Sequence, residues 1–356
     1  MIENMLPKEY NELAAVQAAE QDSLLTMPNV VGVALGTKWQ GGLDTGEKAL
    51  TVLVDTKLPK ESLNKNDLVP PTISKMRTDV QEVGVLQAGR TVEQMLTPPA
   101  LGNGHQLDTI GGQLALDDVA LAARENIGPF ALAKRFRPAF GGVSAGHFKI
   151  TAGTLGTCCY DASAFPGKPS RYYILSNNHV LANSNAASIG DPILQPGPFD
   201  GGTFPADVIA RLSRFVPIKF IQAGQPVPLN LVDAAIAEGQ FHDLDRRIFW
   251  VGDIKDVNNA PTVGMVVQKT GRTTNWTTGK VQNINATVDV NYGGGKVARF
   301  AQQIVTSDMS AGGDSGSLVA DRDNKAVGLL FAGSAVVTIV NRIALVESLL
   351  GIRVRP

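Results

Sequence analysis

Cysteine is nearly absent from this 356-residue chain, which holds only Cys158 and Cys159, side by side. A disulfide needs Cα atoms farther apart than one peptide unit brings them, so this pair excludes a framework of bridges. Small secreted folds usually carry several bridges, and the compartment expected here is therefore cytosolic. Charge is also sparse. Only 18% of residues are charged, 32 basic against 33 acidic, for a formal charge of −1. No dense Lys/Arg run is present, which argues against nucleic acid or an anionic membrane as a partner. Long apolar runs are missing too. The longest, Ala326–Val340, is too short for a membrane helix, and Gly328, Gly333 and Ser334 divide it like two strands around a turn. The opening MIENMLPKEY has no basic flank leading into an apolar stretch, so no signal peptide is read there. No Cys/His/Asp cluster has metal-ligand spacing, and no glycine loop ends in Lys-Ser/Thr. Neither a metal nor a nucleotide cofactor is expected.

What the chain has instead is turn chemistry. Its 37 glycines and 20 prolines predict a mainly β fold, and its length predicts more than one domain. Residues 7–25 read as a helix, with Pro7 in the first turn and Ala, Glu, Gln and Leu following. Val30–Leu35, Leu50–Val54 and Thr78–Val83 read as strands, giving a small N-terminal α/β unit over 1–90. Residues 91–137, with Pro98-Pro99 and a helical pattern at Leu116–Arg124, read as a connector. A third region, 138–356, is patterned as short strands. Within it Val281–Val290 and Val297–Val305 flank the turn Gly293-Gly294-Gly295. A short helix ends the chain, with Asn341 as its expected N-cap and Gly351 as its stop.

Three segments carry chemistry. The first is Gly312-Gly313-Asp314-Ser315-Gly316-Ser317. A serine attacks a carbonyl only when its hydroxyl is open and amide protons converge on the forming oxyanion. Flanking glycines permit that backbone, with the Gly313 and Ser315 N–H groups as donors. Alone, the segment reads equally well as a surface turn. The second is Ile174-Leu175-Ser176-Asn177-Asn178-His179, an apolar strand ending in a polar cluster where a general base could stand. The third is Leu231-Val232-Asp233-Ala234-Ala235, a carboxylate in a small apolar stretch, suited to orienting an imidazole. Together they run His, Asp, Ser along the chain, the chymotrypsin order rather than that of subtilisin or the α/β-hydrolases. Of the four histidines, His105 falls in the connector, His147 precedes the first expected barrel strand and His242 follows Asp233. His179 is the fitting base.

On these segments, and on Gly141–Gly146, Thr151–Gly156 and Lys269-Thr270-Gly271-Arg272-Thr273-Thr274, Arg137–Pro356 resembles the trypsin/chymotrypsin-like serine peptidases. Within them it is most similar to the intracellular, disulfide-free bacterial branch related to the plant Narrow Leaf proteases. The resemblance implies a two-barrel domain and a serine endopeptidase acting on protein or peptide substrates. His179, Asp233 and Ser315 would form the triad, and Gly313 and Ser315 the oxyanion hole. By analogy Met309, six residues before the nucleophile, would form the base of the specificity pocket. Phe331, Ala332 and Gly333 would form its substrate-pairing wall. Asp314 then needs a cationic partner other than a freed N-terminus, for which Lys269 and Arg272 both qualify. One alternative is a catalytically silent protease fold serving as an assembly or binding module, and another is a self-processing protease that cuts its own connector once, within Thr97–Gly112; a homo-oligomer is compatible with each reading.

Overall fold

The computed structural model describes residues 5–89, 131–162 and 171–355. The expected connector helix at Leu116–Arg124 and the stretch Thr97–Gly112 lie outside them. The mainly β fold read from composition is what the chain adopts, with a small helix-and-strand unit at its N-terminus.

The strands of the C-terminal region form two rings. In the first, β4 (Ser144–His147), β5 (Thr157–Asp161), β6 (Tyr172–Ser176), β7 (Pro192–Leu194), β8 (Val208–Phe215) and β9 (Ala235–Gly239) follow the spatial order β5-β6-β9-β8-β7-β4. The run 153–161 closes the ring, since Gly153 and Thr154 pair with β4 while Thr157–Cys159 pair with β6. The interior holds Ile174, Ile193, Leu212 and Ala237 from the strands, with Val143, Leu155 and Leu181 from the segments between them. Both cysteines are buried and unbridged. Burial pushes both thiols well above their ordinary range.

In the second ring β10 (Val266–Gly271), β11 (Asn275–Asn291), β12 (Val297–Ser307), β13 (Leu318–Asp321), β14 (Lys325–Gly333) and β15 (Val337–Arg342) follow the order β12-β15-β14-β13-β10-β11, and β11 pairs back onto β12. The hairpin predicted around Gly293–Gly295 joins β11 to β12, and the apolar run Ala326–Val340 supplies β14 and β15.

The N-terminal unit shares a sheet with this ring. Helix α1 (Asn11–Leu24) precedes β1 (Val30–Gln40), β2 (Leu43–Val54) and β3 (Met76–Glu82). β1 pairs with β2 on one edge and with Gly32–Leu35 against Ile284–Val288 of β11 on the other. At 17 residues, β11 is long enough to pair with β10 along its first third and with β1 further on. The buried Gln17 amide of α1 fixes the junction. Its Nε2 donates to the Val33 carbonyl at 3.0 Å and the Asn285 carbonyl at 2.8 Å, and its Oε1 accepts from Asn285 Nδ2 at 2.9 Å. One apolar core accordingly runs from Tyr10, Leu13 and Leu24 through Leu50 and Val52 to Val281, Val319 and Val340.

The terminal helix α3 (Ile343–Leu350), following the one-turn α2 (Asn178–Leu181) in chain order, ends as expected at Gly351, which takes φ +65°. Its start departs from expectation. Arg342 occupies the N-cap position with no side-chain cap, and Asn341 is drawn away to another task.

Candidate active site

The two rings meet along a cleft, and the three chemistry-bearing segments converge there from both. Strand β6 ends at Ser176, and α2 begins at once. Asn177 and Asn178, both fully buried, make this turn a rigid one. Asn177 Nδ2 donates to the Asp233 carbonyl at 2.8 Å, and Asn178 Nδ2 donates to the Val216 carbonyl at 2.7 Å. The turn presents His179, whose Nδ1 lies 2.7 Å from Asp233 Oδ2, while its backbone N–H donates to Asp233 Oδ1 at 3.2 Å. Asp233 sits just before β9 and is wholly buried. The other ring nitrogen, His179 Nε2, has no hydrogen-bond partner among the described residues. It lines a cavity of about 290 Å³ together with Gly313, Ser315, Ala152 and Tyr292.

Two groups that escaped the sequence reading hold Asp233. Tyr292 Oη donates to Asp233 Oδ2 at 2.7 Å, and its ring stands edge-on to the imidazole with centroids 6.0 Å apart. Burial, then the Asp233 charge and this hydrogen bond, push the Tyr292 phenol well above its ordinary range, so it stays a donor. Asn341 Oδ1 accepts the Asp233 backbone N–H at 2.8 Å, and its Nδ2 donates to the Leu329 carbonyl at 3.0 Å. This is why Asn341 does not cap α3. Tyr292 lies beside a glycine turn and Asn341 beside a helix start, so each has a local explanation that hides its long-range one.

Ser315 belongs to the second ring, on the loop before β13. Gly313 and Gly316 both take φ +98°, and a Cβ on Gly316 would lie 2.1 Å from Ser176 Oγ and 2.3 Å from the Thr154 carbonyl oxygen. Only glycine suits these positions. The first ring grips the loop through Thr154, whose backbone N–H donates to the Ser315 carbonyl at 2.8 Å and whose Oγ1 donates to the Gly313 carbonyl at 2.8 Å. The N–H groups of Asp314, Gly316 and Ser317 are bonded to Ala311, Leu330 and Asp314 carbonyls. Those of Gly313 and Ser315 have no partner among the described residues, which leaves two donors side by side at the serine.

Between the two cations open to Asp314, the structure selects Lys269. Its Nζ lies 3.0 Å from Asp314 Oδ2, and both side chains are fully buried. Asp314 Oδ1 accepts the N–H groups of Thr273 at 2.9 Å and Thr274 at 3.2 Å, and Oδ2 accepts Thr274 Oγ1 at 2.5 Å and the Ala311 N–H at 3.0 Å. Burial alone would raise the Asp314 carboxyl; the Lys269 charge, the Thr274 hydroxyl and these amides outweigh it and hold it below the ordinary carboxylate range. Burial lowers the Lys269 ammonium, with Asp314 opposing the shift. Arg272 turns the other way and forms a bidentate pair with Asp200 of the first ring, tying the rings together.

The expected specificity pocket needs two corrections. Met309 is buried in the core cluster that also holds Val281 and Val319, with its sulfur against Gly279, and it is not among the residues that line either cavity of the cleft. The next residue, Ser310, lines the cleft instead, its Oγ 2.7 Å from Thr338 Oγ1. Phe331 is likewise turned inward onto Phe300, with ring centroids 4.7 Å apart. The ladder with β15 is bulged between Leu330 and Ala332, and while those two residues line the cleft, Phe331 between them is directed into the core. Ala332 and Gly333 do line it, in a cavity of about 400 Å³ shared with Ser310, Ala311, Gly312 and Ser315. No charged side chain lines either cavity among the described residues. Among those residues, too, no group of three or more acidic, His or Cys side chains could hold a metal, and no helix is long and apolar enough to cross a membrane.

No protein-family model matches the chain, and no curated protein does. Among solved structures it is similar to Thermobifida fusca protease A, at 15% identity and a TM-score of 0.42 over 60% of this chain and 96% of that one. It is similar to the Nocardiopsis protease at 19% identity and a TM-score of 0.42, over 61% and 98% of the two chains. A glutamic acid-specific serine protease matches at 21% identity and a TM-score of 0.40, over 60% and 98%.

Proposed function

We propose that the chain is a serine endopeptidase of the trypsin/chymotrypsin type, in the disulfide-free branch related to the plant Narrow Leaf proteases. The observation that carries this reading is the convergence of a buried Asp233, an imidazole bonded to it at 2.7 Å and the glycine-flanked Ser315 on one cleft. Ser315 Oγ attacks the peptide carbonyl carbon while His179 Nε2, without a hydrogen-bond partner among the described residues, takes its proton. The His179 Nδ1–H donates to Asp233, which fixes the tautomer and stabilises the imidazolium as it forms. The Gly313 and Ser315 N–H groups receive the oxyanion. Collapse of the tetrahedral species expels the amine, protonated by His179, and leaves an acyl group on Ser315. Water, deprotonated by the same imidazole, then releases the acid. The uncharged lining around Ser310 and Ala332 favours an uncharged side chain before the cut bond, because a buried Lys or Glu would find no counter-charge there.

The test is hydrolysis of a fluorogenic peptide library by the wild-type chain and by Ser315→Ala. The variant loses one oxygen and should keep the wild-type thermal midpoint, while hydrolysis falls by several orders of magnitude. Equal turnover by the two proteins contradicts the assignment.

A further inference from the structure

The lane a peptide substrate needs is already filled by the chain itself. Strand β14 pairs with β15 through Gly333 on one edge. On its other edge β13 has already ended, since the β13–β14 ladder runs only as far as Leu318 against Leu329. Gln87 takes that open edge in antiparallel fashion: its N–H donates to the Gly333 carbonyl at 3.0 Å, and the Gly333 N–H donates back to the Gln87 carbonyl at 3.0 Å. The opposite side of the segment is secured as well. The Ala88 N–H donates to the Asn291 carbonyl at 3.0 Å, and the Asn291 N–H donates to the Leu86 carbonyl at 2.9 Å. Leu86 and Val83 anchor it in the core beside Phe300 and Phe331.

The segment leads directly to the reacting groups. Gln87 and Gly89 line both cavities that contain Ser315, and a Cβ on Gly89 would lie 3.8 Å from His179 Cδ2. Gly89 has φ +77°, in the left-handed region. A peptide about to be cut runs extended past the nucleophile, whereas this backbone turns at Gly89, in front of the imidazole. The segment therefore has the seat of a substrate without the conformation of one.

We propose that Leu86–Gly89 is a resident strand that occupies the substrate lane, and that a peptide binds only as this strand leaves Gly333. The inference rests on the peptidase reading above. Its physical basis is exclusion: one N–H and one C=O on Gly333 cannot serve two strands on the same edge, so substrate and segment compete for the same pair of hydrogen bonds. Activity on peptides is then set by the fraction of molecules in which the strand is displaced.

Two covalent probes test this on the full chain. One is a small alkyl fluorophosphonate, which needs only the nucleophile and the oxyanion donors. The other is an Ala-Ala-Leu phosphonate ester, which also needs the Gly333 edge. Hydrogen exchange of the Gln87 and Ala88 amides is read in each adduct. The tripeptide adduct should exchange at least tenfold faster than the unlabelled protein at both amides, and the alkyl adduct at the unlabelled rate. In parallel, Gln87→Pro/Ala88→Pro deletes two of the four hydrogen bonds that hold the strand. With a thermal midpoint near that of wild type, it should react roughly tenfold faster with the tripeptide probe and at an unchanged rate with the alkyl probe. Unchanged amide protection in the tripeptide adduct overturns the proposal. So does a new N-terminus at Arg90 that forms in wild type but not in Ser315→Ala, because the segment would then be a substrate. Failure of the alkyl probe to label wild type sinks the peptidase reading itself and this inference with it.

Discussion

Asp233 and Asp314 are both fully buried, flank the same serine and belong to different rings, yet their surroundings differ in kind. Asp314 faces the Lys269 ammonium, a hydroxyl and three backbone amides, and this lysine is as buried as it is. Asp233 faces an imidazole, a phenol and the His179 backbone N–H, with no Lys or Arg paired to it among the described residues. The first environment neutralises its carboxylate within the fold. The second leaves the charge available to a proton that arrives on His179. On the proposed reading, Asp314 is the structural acid of the two and Asp233 the one that serves the chemistry.

The comparison breaks most sharply at Asp233. Asp233→Asn keeps the shape but offers an amide to Nδ1, so the neutral imidazole is held in the wrong tautomer. By analogy with other triads, kcat should fall about 10⁴-fold with little loss of stability. Steady-state kinetics beside a urea melt reads both, and a loss of stability matching the loss of activity would make Asp233 a structural acid like Asp314.

Lys269→Met should behave in the opposite sense. It leaves a buried carboxylate uncompensated, at a cost of roughly 3–5 kcal/mol, read as a lowered urea midpoint. A pH series sharpens this. The Asp314 carboxyl is depressed in the fold, so its contribution is complete above the unfolded value of about 3.9 and is lost as pH falls through the lower folded value. The stability gap between wild type and Asp314→Asn should accordingly be constant at neutral pH and shrink in acid. A gap that widens on acidification contradicts the pairing.

The smallest effect is expected at Tyr292→Phe, which removes one charged hydrogen bond from Asp233 and keeps the ring against His179. A loss of about 1.5–3 kcal/mol of interaction corresponds to a kcat/KM drop of roughly tenfold to 150-fold. Unaltered kcat/KM would show that His179 alone suffices to hold the carboxylate.

The site residues stand at segment ends with local signatures, and that is why sequence reading reaches them. Glycines bracket Ser315, an apolar strand runs out at His179, and small residues surround Asp233. The helix at 11–24 and the hairpin around Gly293–Gly295 follow from equally local patterns. What stays hidden depends on alternation or distance. The choice between Met309 and Ser310, and the inward turn of Phe331, hinge on a single residue of register. Tyr292 reaches an aspartate 59 residues away, and Gln87 meets Gly333 across most of the chain. The N-terminal unit reads as a separate piece because nothing in residues 30–54 reveals that their sheet continues into β11.

The central claim is that Ser315, among all the serines of the chain, is a nucleophile. Reaction with an alkyl fluorophosphonate, followed by peptide mapping of the adduct, tests it most directly. The account predicts a single phosphonyl group on the peptide containing Ser315, no adduct in Ser315→Ala and greatly slowed labelling in Asp233→Asn. Labelling of Ser315→Ala at the wild-type rate, or an adduct mapped to any other residue, would contradict it.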